Sequence, residues 1–468
     1  MKRTVMLGMV VSSLGACGGG SSQPTVKSTI PIGALAAVTG NGATLDYQKA
    51  LELAQDQLNQ ALQKSGSGIR FAVTVADSQG SATAATAAAM NLIGTTGVKG
   101  IVTDVSGDTV PVNMFNYDPA GTLPKVPITC YACSSSFIND PNATDADPIK
   151  QAALRDTDNW LYRVFFNAKY EALVQTQIAL HKGTSGDVNG DGKFKIAVYA
   201  QNDAFGQSVS TSITAAMTAL STLPSSIETI FVPANADPNS YNWSADLAKV
   251  VDNYNENTMA TDGVPDAVVV AVLSAGATAI VSAYHNGGYT IPLEAATAFR
   301  RDYILRSIGA AADGVEGDSN YRFAKNDAGM AFGTAFQAAA GNVPEQLSSG
   351  AYDSAMVLML ASLIAAQPLE NPDDLTPTQI RDAIPQIHAD GGTRVIPTVE
   401  SLAAGVALIA QGKPIHYDGA SGSVDFDAVG NLFPPLVHWK VEGQQFMELE
   451  AYDCSDAKPL CPLVVAPN

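Results

Sequence analysis

The feature that most constrains this 468-residue chain is an alternation of short apolar strands with helices, which occurs twice along its length. Residues 29–35 and 71–75 alternate apolar and polar side chains with a period of two, whereas residues 46–61 repeat their apolar side chains every three or four positions. Residues 267–273 form an unbroken apolar run, typical of a parallel strand covered on both faces. Strands that alternate with helices predict parallel sheets built from βαβ units.

The two series have similar lengths and therefore predict two doubly wound lobes. The further predicted elements are strands at 100–102, 127–129, 195–200 and 228–232, and helices at 81–92, 170–181, 208–220 and 243–255. Residues 352–366 are apolar all round, which predicts a buried helix that is too short for a membrane span. The chain closes with strand-like pieces at 423–426, 436–441 and around Cys454.

The first residues predict export. Lys2 and Arg3 precede an apolar stretch at 5–14, and Leu14-Gly15-Ala16-Cys17 has the order of a lipobox. We therefore expect a lipoprotein signal peptide over 1–16, an acylated Cys17 and a flexible tether over 17–27, since glycines and serines follow the cysteine. This places the protein in the cell envelope, lipid-anchored on the periplasmic or extracellular face. The alternative is an ordinary secretory signal with a cysteine nearby by chance.

Charge and motifs disfavour several functions. The chain has 45 acidic and 26 basic residues, a formal net charge of −19, which repels the phosphates of nucleic acids. The glycines at 40 and 42 lack the third glycine of a dinucleotide-binding fingerprint, because Leu45 stands there. No nucleophile–base pattern is present either. We therefore expect no cofactor and no enzymatic activity.

The remaining cysteines form two close pairs. With Cys17 assigned to the lipid, Cys130 and Cys133 stand three positions apart, and Cys454 and Cys461 seven. In an exported chain such pairs predict two local disulfides. For Cys130 and Cys133, a redox dithiol or half a metal site stays open, although the histidines show no paired spacing that would complete a zinc site.

One loop resembles the start of a calcium-binding loop. Asp187, Asn189 and Asp191 place side-chain oxygens at positions one, three and five. The twelfth position is Val198 instead of the bidentate acid that a complete loop needs. We therefore expect no metal here, with this loop as a weak calcium candidate.

Six short stretches, in order along nearly the whole mature chain, carry a family resemblance. They are 32–43 (IGALAAVTGNGA), 196–207 (IAVYAQNDAFGQ), 265–270 (PDAVVV), 312–317 (ADGVEG), 350–355 (GAYDSA) and 421–431 (SGSVDFDAVGN). With these, the chain resembles the type I periplasmic binding proteins, in particular the branched-chain amino-acid (leucine/isoleucine/valine) binding and amide-sensor group. The resemblance implies two Rossmann-like α/β lobes joined by a three-strand hinge, which close over a ligand in the cleft between them.

The resemblance also implies how the chain divides between the lobes. Lobe one would comprise residues 28–165 and 319–417, and lobe two residues 166–318 and 418–468. Ligands of doubly wound sheets lie beyond the carboxyl ends of the strands, where loops supply amides and hydroxyls.

Three candidate ligand-binding residues belong to lobe one. Ser106 follows the third strand, where the family places a serine that holds the ligand carboxylate. Ala132 and Ser134 match the carbonyl and hydroxyl that hold the ligand's ammonium and carboxylate. The alternative is that both serines only cap their own loops.

Three more candidates belong to lobe two. Phe205 stands where the family often has a tyrosine, and Ser274 follows the apolar run at 267–273. The family's ammonium-binding acid lies in the strand after Pro292, where the best register places Ala296. Glu294 lies two residues earlier, on the same strand face, and is the candidate acid.

These features predict a binding protein that captures a small polar ligand (an amino acid, an amide or a related carboxylate) for an ABC importer, with a permease as partner. The alternative is a ligand sensor or an orphan envelope lipoprotein that uses the same fold without transport.

Overall fold

The structure is a computed structural model that describes residues 25–40, 43–234, 236–455 and 460–464. The predicted signal peptide, the lipobox and Cys17 lie outside these residues, and so does most of the predicted tether.

The described residues form strands and helices that alternate along most of the chain. The strands are β1 Ser28–Ala36, β2 Ile69–Asp77, β3 Ile101–Val105, β4 Ile128–Ala132, β5 Leu161–Arg163, β6 Phe194–Asn202, β7 Ser225–Pro233, β8 Tyr254–Asn255, β9 Ala260–Thr261, β10 Ala267–Ala271, β11 Leu293–Ala295, β12 Glu316–Asn320, β13 Thr393–Val395, β14 Ile415–Tyr417, β15 Leu436–Glu442, β16 Gln445–Tyr452 and β17 Leu463–Val464. The helices are α1 Leu45–Lys64, α2 Ala82–Asn91, α3 Ser106–Tyr117, α4 Pro148–Arg155, α5 Ala168–Leu180, α6 Ala204–Leu220, α7 Trp243–Val250, α8 Ser274–Asn286, α9 Asp302–Ile308, α10 Asp327–Ala340, α11 Ser348–Ala366, α12 Pro377–Ala383 and α13 Val399–Ala410.

Lobe one is built on a five-stranded parallel sheet in the order β2-β1-β3-β4-β5. Its inner strands β3 and β4 are buried along nearly their whole length, as expected of a sheet covered on both faces. Helices α1 and α11 pack against each other, and α11 also contacts β4.

Lobe two is built on an eight-stranded mixed sheet in the order β17-β16-β15-β12-β11-β10-β6-β7. Within this sheet, β7, β6, β10, β11 and β12 are parallel to one another. The sheet then continues through antiparallel pairs of β15 with β12, β16 with β15 and β17 with β16. The hairpin of β15 and β16 turns through Gly443 and Gln444, whose φ angles of 56° and 61° are those of a tight two-residue turn. The prediction of two doubly wound α/β lobes is confirmed.

Helix α11 is the hydrophobic centre of lobe one. It is the one helix among the described residues whose length and apolar composition would suit a membrane span, but 94% of that stretch is buried inside the protein. Its one carboxylate, Asp353, accepts hydrogen bonds from the Tyr417 hydroxyl at 2.7 Å and the Ala420 amide at 2.8 Å. The predicted buried helix is therefore confirmed.

The chain passes between the two sheets three times: after β5, after β12 and after β14. The third passage covers residues 418–435, and its first part contacts lobe one. The Arg163 amide donates to the Gly430 carbonyl at 2.7 Å, and Asp353 holds the Ser421 amide at 2.7 Å. The predicted lobe boundaries stay predictions, with residues 418–431 in contact with lobe one.

Two predicted elements are wrong. The helix expected over 243–255 ends at Val250, because Asn253 has a φ of 50°, which a helix cannot accommodate, and a small hairpin of β8 and β9 follows. The strand expected over 423–426 is absent: one isolated bridge joins Asp418 to Ser423, and the rest of that stretch is irregular.

Both cysteine pairs are joined in the structure, Cys130 to Cys133 and Cys454 to Cys461. The first disulfide lies at the end of β4 and is fully buried in lobe one. The second lies beyond β16, where the Cys461 amide donates to the Gln177 side chain of α5 at 2.9 Å.

Candidate functional site

A small cavity lies between the lobes, at the carboxyl ends of strands from both sheets. Its volume is about 50 Å³, room for about four water molecules at ~10–15 Å³ each. Five of the six predicted ligand-binding residues line it: Ser106, Ala132 and Ser134 from lobe one, and Phe205 and Ser274 from lobe two. The structure thus brings together residues that are as much as 168 positions apart in sequence.

Ser106 is the first residue of α3, so the amino end of this helix opens on the cavity. The residue before it, Val105, has no side-chain hydrogen bond that caps the helix. The Ser106 hydroxyl oxygen accepts a hydrogen bond from the Ser135 amide at 3.0 Å. A helix amino terminus carries partial positive charge and exposed N–H groups, which suit an anionic oxygen.

The loop that carries Ser134 is held from behind by Arg163. The Arg163 guanidinium, fully buried, donates to the Ser134 carbonyl at 3.0 Å and to the Ile138 carbonyl at 2.6 Å. Burial lowers the pKa of Arg163 to about 9. With the Cys130–Cys133 disulfide on its other side, this loop presents Ala132 and Ser134 in a fixed arrangement.

The wall from lobe two is formed by the starts of two helices. The Asp203 carboxylate accepts hydrogen bonds from the Phe205 and Gly206 amides, both at 3.0 Å, and so fixes Phe205 at the first turn of α6. A side chain at Gly206 would meet the Gln201 carbonyl at 2.1 Å, so glycine is required there. Ser274 begins α8, and its hydroxyl donates to the Ala298 carbonyl at 2.8 Å.

Glu294, the sixth predicted residue, does not line the cavity. It lies on the inner strand β11, fully buried, with a carboxylate oxygen 3.5 Å from the Lys182 ammonium. Burial raises the pKa of Glu294, and the Lys182 charge opposes that shift. Lys182 also contacts Glu316 at 3.1 Å, so Glu294 belongs to an internal charge cluster of lobe two.

Sequence reasoning missed two charged residues that line the cavity, Asp104 and Arg301. Asp104 stands on β3, two residues before Ser106, and is 3% exposed. Burial raises the pKa of Asp104 to about 6. The Ala37 amide, the Tyr131 hydroxyl and the Arg301 charge favour the ionised form and so oppose this rise. The available signal was an acid within a short strand whose other residues are apolar apart from Thr103.

Arg301 enters the cavity from lobe two and is 5% exposed. Its Nη1 donates to the Thr297 carbonyl at 3.1 Å and the Arg300 carbonyl at 2.9 Å, and its Nε has no hydrogen-bond partner among the described residues. Burial alone would lower the pKa of Arg301, but the neighbouring Tyr47, Tyr303 and Glu345 raise it. The guanidinium is therefore a permanent positive charge at the cavity.

The calcium-like loop is closed by protein donors. The Asp187 carboxylate accepts from the Gly190 amide at 2.6 Å and the Gly192 amide at 2.9 Å. Asp191 contacts the Lys195 ammonium at 2.6 Å, so a cationic group of the protein already lies at this carboxylate. Asn189 accepts from the Asp191 amide at 3.0 Å. Within the described ranges, no group of three or more acidic, histidine or cysteine side chains could hold a metal ion.

Comparison of the whole chain with known proteins gives similarity in structure alone. No family model matches the chain, and no curated protein matches it in sequence. Solved structures of solute-binding proteins do match over most of both chains. A leucine-binding protein of Thermotoga maritima aligns with a TM-score of 0.65 and 16% identity, over 91% of this chain and 99% of its own.

Two further solved structures contain ligands. A branched-chain amino-acid ABC transporter protein of Thermus thermophilus with bound valine has a TM-score of 0.63 at 12% identity, over 92% of this chain and 97% of its own. A solute-binding protein of an ABC transporter from R. palustris, in complex with benzoate, has a TM-score of 0.63 at 14% identity. The alignment covers 93% of this chain and 98% of its own. The topology, the cavity and these alignments agree, and the chain has the fold of the type I periplasmic binding proteins.

Proposed function

We propose that this chain is an extracytoplasmic solute-binding protein that captures a small polar ligand between its lobes and delivers it to an ABC importer. The observation that carries the proposal is the cavity of about 50 Å³ closed between two lobes, with side chains of both lobes in its wall. A site that is completed only when two lobes meet suits capture and release by hinge motion. It needs no catalytic group, and we propose no enzymatic activity.

The lining supports a ligand with a carboxylate or carbonyl oxygen. The amino end of α3, Ser106 and Ser134 form a set of neutral donors on the lobe-one side. Such donors bind an anionic oxygen without a formal counter-charge. Proteins with this fold in the comparison hold valine and benzoate, both of which have a carboxylate.

The cellular setting of this proposal comes from the sequence. An acylated Cys17 would hold the protein at the outer face of a membrane, where a permease of the importer would receive the ligand from the closed lobes. Uptake of the bound ligand by cells with and without the gene for this chain tests transport directly. Binding without any effect on uptake would favour the alternative role of a ligand sensor.

The binding site itself is tested by replacing Ser134 with alanine and measuring affinity by calorimetry. A lost hydrogen bond to a charged ligand group costs ~1.5–3 kcal/mol, which weakens binding roughly 10- to 150-fold. Ser362→Ala is the matched control, because Ser362 is also fully buried but donates within α11, to the Leu358 carbonyl at 2.7 Å.

We expect Ser134→Ala and Ser106→Ala to weaken binding, and Ser362→Ala to leave affinity unchanged. The unliganded Ser134→Ala protein should melt close to the parent temperature. Unchanged affinity in both cavity variants would contradict the proposed site.

A further inference from the structure

Arg301 differs from the other buried arginine beside it. The Arg300 guanidinium, 4% exposed, contacts the Glu448 carboxylate at 2.6 Å and donates to the Ser319 hydroxyl at 2.8 Å. No carboxylate oxygen lies within 4.0 Å of the Arg301 guanidinium in the part of the chain that the structure describes. Arg301 is thus a buried cation without an ion-pair partner, an arrangement that is costly unless an anion completes it.

The acids near Arg301 are already engaged by other groups. Glu345 accepts from the Asp302 amide at 3.1 Å and contacts Arg306 at 3.4 Å. Asp104, on the opposite wall, has the Ala37 amide and the Tyr131 hydroxyl as stabilising donors, and the Arg301 charge also favours its ionised form. Neither acid forms an ion pair with Arg301 at contact distance, and the cavity is the remaining place for an anion.

The lobe-two wall has no acid to offer an ammonium group. Its cavity-lining residues are Phe205, Leu273, Ser274, Thr297, Ala298 and Arg301. Glu294, the acid expected there, is bound to Lys182 inside the lobe, and Ala296 stands at the position where the resemblance places an acid. The charge on this wall is therefore positive.

Apart from the Asp104 carboxylate on the lobe-one side, both walls present features that attract an anion. Lobe one contributes the amino end of α3, which has no side-chain cap. Lobe two contributes the Arg301 guanidinium and the Thr297 hydroxyl, which has no hydrogen-bond partner among the residues that the structure describes. The cavity is small enough that one short molecule would touch both walls.

We propose that the ligand is a short-chain carboxylate without an ammonium group, whose carboxylate Arg301 binds from lobe two. This proposal rests on the solute-binding function proposed above and narrows its ligand class. Arg301 is the residue that determines this specificity, because it provides a permanent cation where an amino-acid site needs an anion.

The first test compares ligands that share a carbon skeleton. Isothermal titration calorimetry of the mature chain is carried out with straight-chain mono- and dicarboxylates of about two to six carbons, their amides and the α-amino acids on the same skeletons. Propionate, propionamide and alanine form one such trio, and succinate, succinamide and aspartate another. We expect a carboxylate to bind. Its amide should bind at least about 10-fold more weakly because it lacks the negative charge, and its amino acid because it adds an ammonium group that has no partner in the site.

The second test compares two adjacent arginines. Arg301→Gln should lower the affinity for the tightest-binding carboxylate about 10- to 150-fold. Arg301→Lys, which keeps the charge, should restore part of that affinity. Arg300→Gln is the matched control: it removes the same charge one residue away, from a side chain that does not line the cavity. We expect Arg300→Gln to bind the carboxylate normally. Circular dichroism and the melting temperature of each unliganded variant check that it is folded.

The outcomes separate this proposal from the function on which it rests. If no compound of any class binds, the solute-binding function fails as well. If an amide or amino acid binds as tightly as its carboxylate, or if folded Arg301→Gln binds the carboxylate as the parent does, solute binding stands and the assignment of Arg301 and of the ligand class is overturned.

Discussion

The affinity of a carboxylate ligand should fall as the pH rises, and Asp104 should cause that fall. Asp104 lines the cavity, and burial raises its pKa to about 6. The titratable and charged groups that face it are Tyr47 on α1, Asp108 on α3, Tyr131 on β4 and Arg301 of lobe two. Of these, Asp108 does not line the cavity, and burial together with Asp104 raises its pKa to about 8.

The size of the effect follows from that pKa. A protonated Asp104 is neutral and can donate a hydrogen bond to the ligand, whereas an ionised Asp104 repels it. If only the protonated form binds, the apparent Kd is the intrinsic Kd divided by the protonated fraction. With a pKa of about 6, the affinity is fully present near pH 5, is roughly 10-fold lower at pH 7 and roughly 100-fold lower at pH 8. Partial binding by the ionised form would make the slope shallower without changing its sign.

Calorimetry between about pH 5 and pH 8, at constant ionic strength, measures this slope. Simple aliphatic carboxylic acids are partly protonated near pH 5, so each affinity is calculated from the concentration of the ionised ligand at that pH. Asp104→Asn should flatten the profile, because its amide does not titrate. Glu294→Gln should keep the parent profile, because Glu294 is an equally buried acid that does not line the cavity. An affinity that rises with pH, or an Asp104→Asn profile as steep as the parent, would refute the reasoning.

Two further predictions concern the cysteines. Cys17→Ser should leave uncleaved precursor or release the protein from the membrane fraction, since the acylated residue is lost; processed Cys17→Ser protein that still fractionates with membranes would contradict the lipobox. The mature protein should not reduce insulin, because Cys130 and Cys133 are joined and fully buried, out of reach of a protein substrate. Reductase activity that Cys133→Ala abolishes would show that the pair is a redox dithiol.

The two-lobed fold could be predicted from the sequence because the local periodicity of apolar residues distinguishes its strands from its helices. The apolar run that became β10 and the apolar helix that became α11 are buried along their whole width, so their composition alone indicated their place. The end of α7 could not be predicted in this way. It depends on the left-handed conformation of Asn253, which is fully buried and whose carbonyl accepts a hydrogen bond from the Asp262 amide at 3.2 Å.

The resemblance pointed to the cavity residues of both lobes, and Ser106, Ala132, Ser134, Phe205 and Ser274 all lie at or shortly after a strand end, where a parallel sheet places its binding loops. Glu294 does not line the cavity, and the reason is geometric. Two residues on one strand share a face only while the strand continues, and β11 ends at Ala295. At Ala296 the chain turns into a short 3₁₀ helix over Thr297–Phe299, so the face that Glu294 occupies does not extend to the cavity.

Arg301 was missed for the opposite reason: a charged residue after an apolar segment is usually solvent-exposed, whereas Arg301 is 5% exposed, with Tyr47 and Glu345 of lobe one and Tyr303 of lobe two as neighbours. That burial links the charge to closure. In an open cleft water would solvate the guanidinium, whereas in the closed form it loses water and has no carboxylate at contact distance among the described residues. A ligand shifts a conformational equilibrium only by its different affinity for the two states. An anion can contact both Arg301 and the amino end of α3 only when the lobes are closed. Such an anion would stabilise the desolvated Arg301 and so favour the closed form. A neutral molecule of the same size would make no ionic contact with Arg301 and would therefore favour the closed form less.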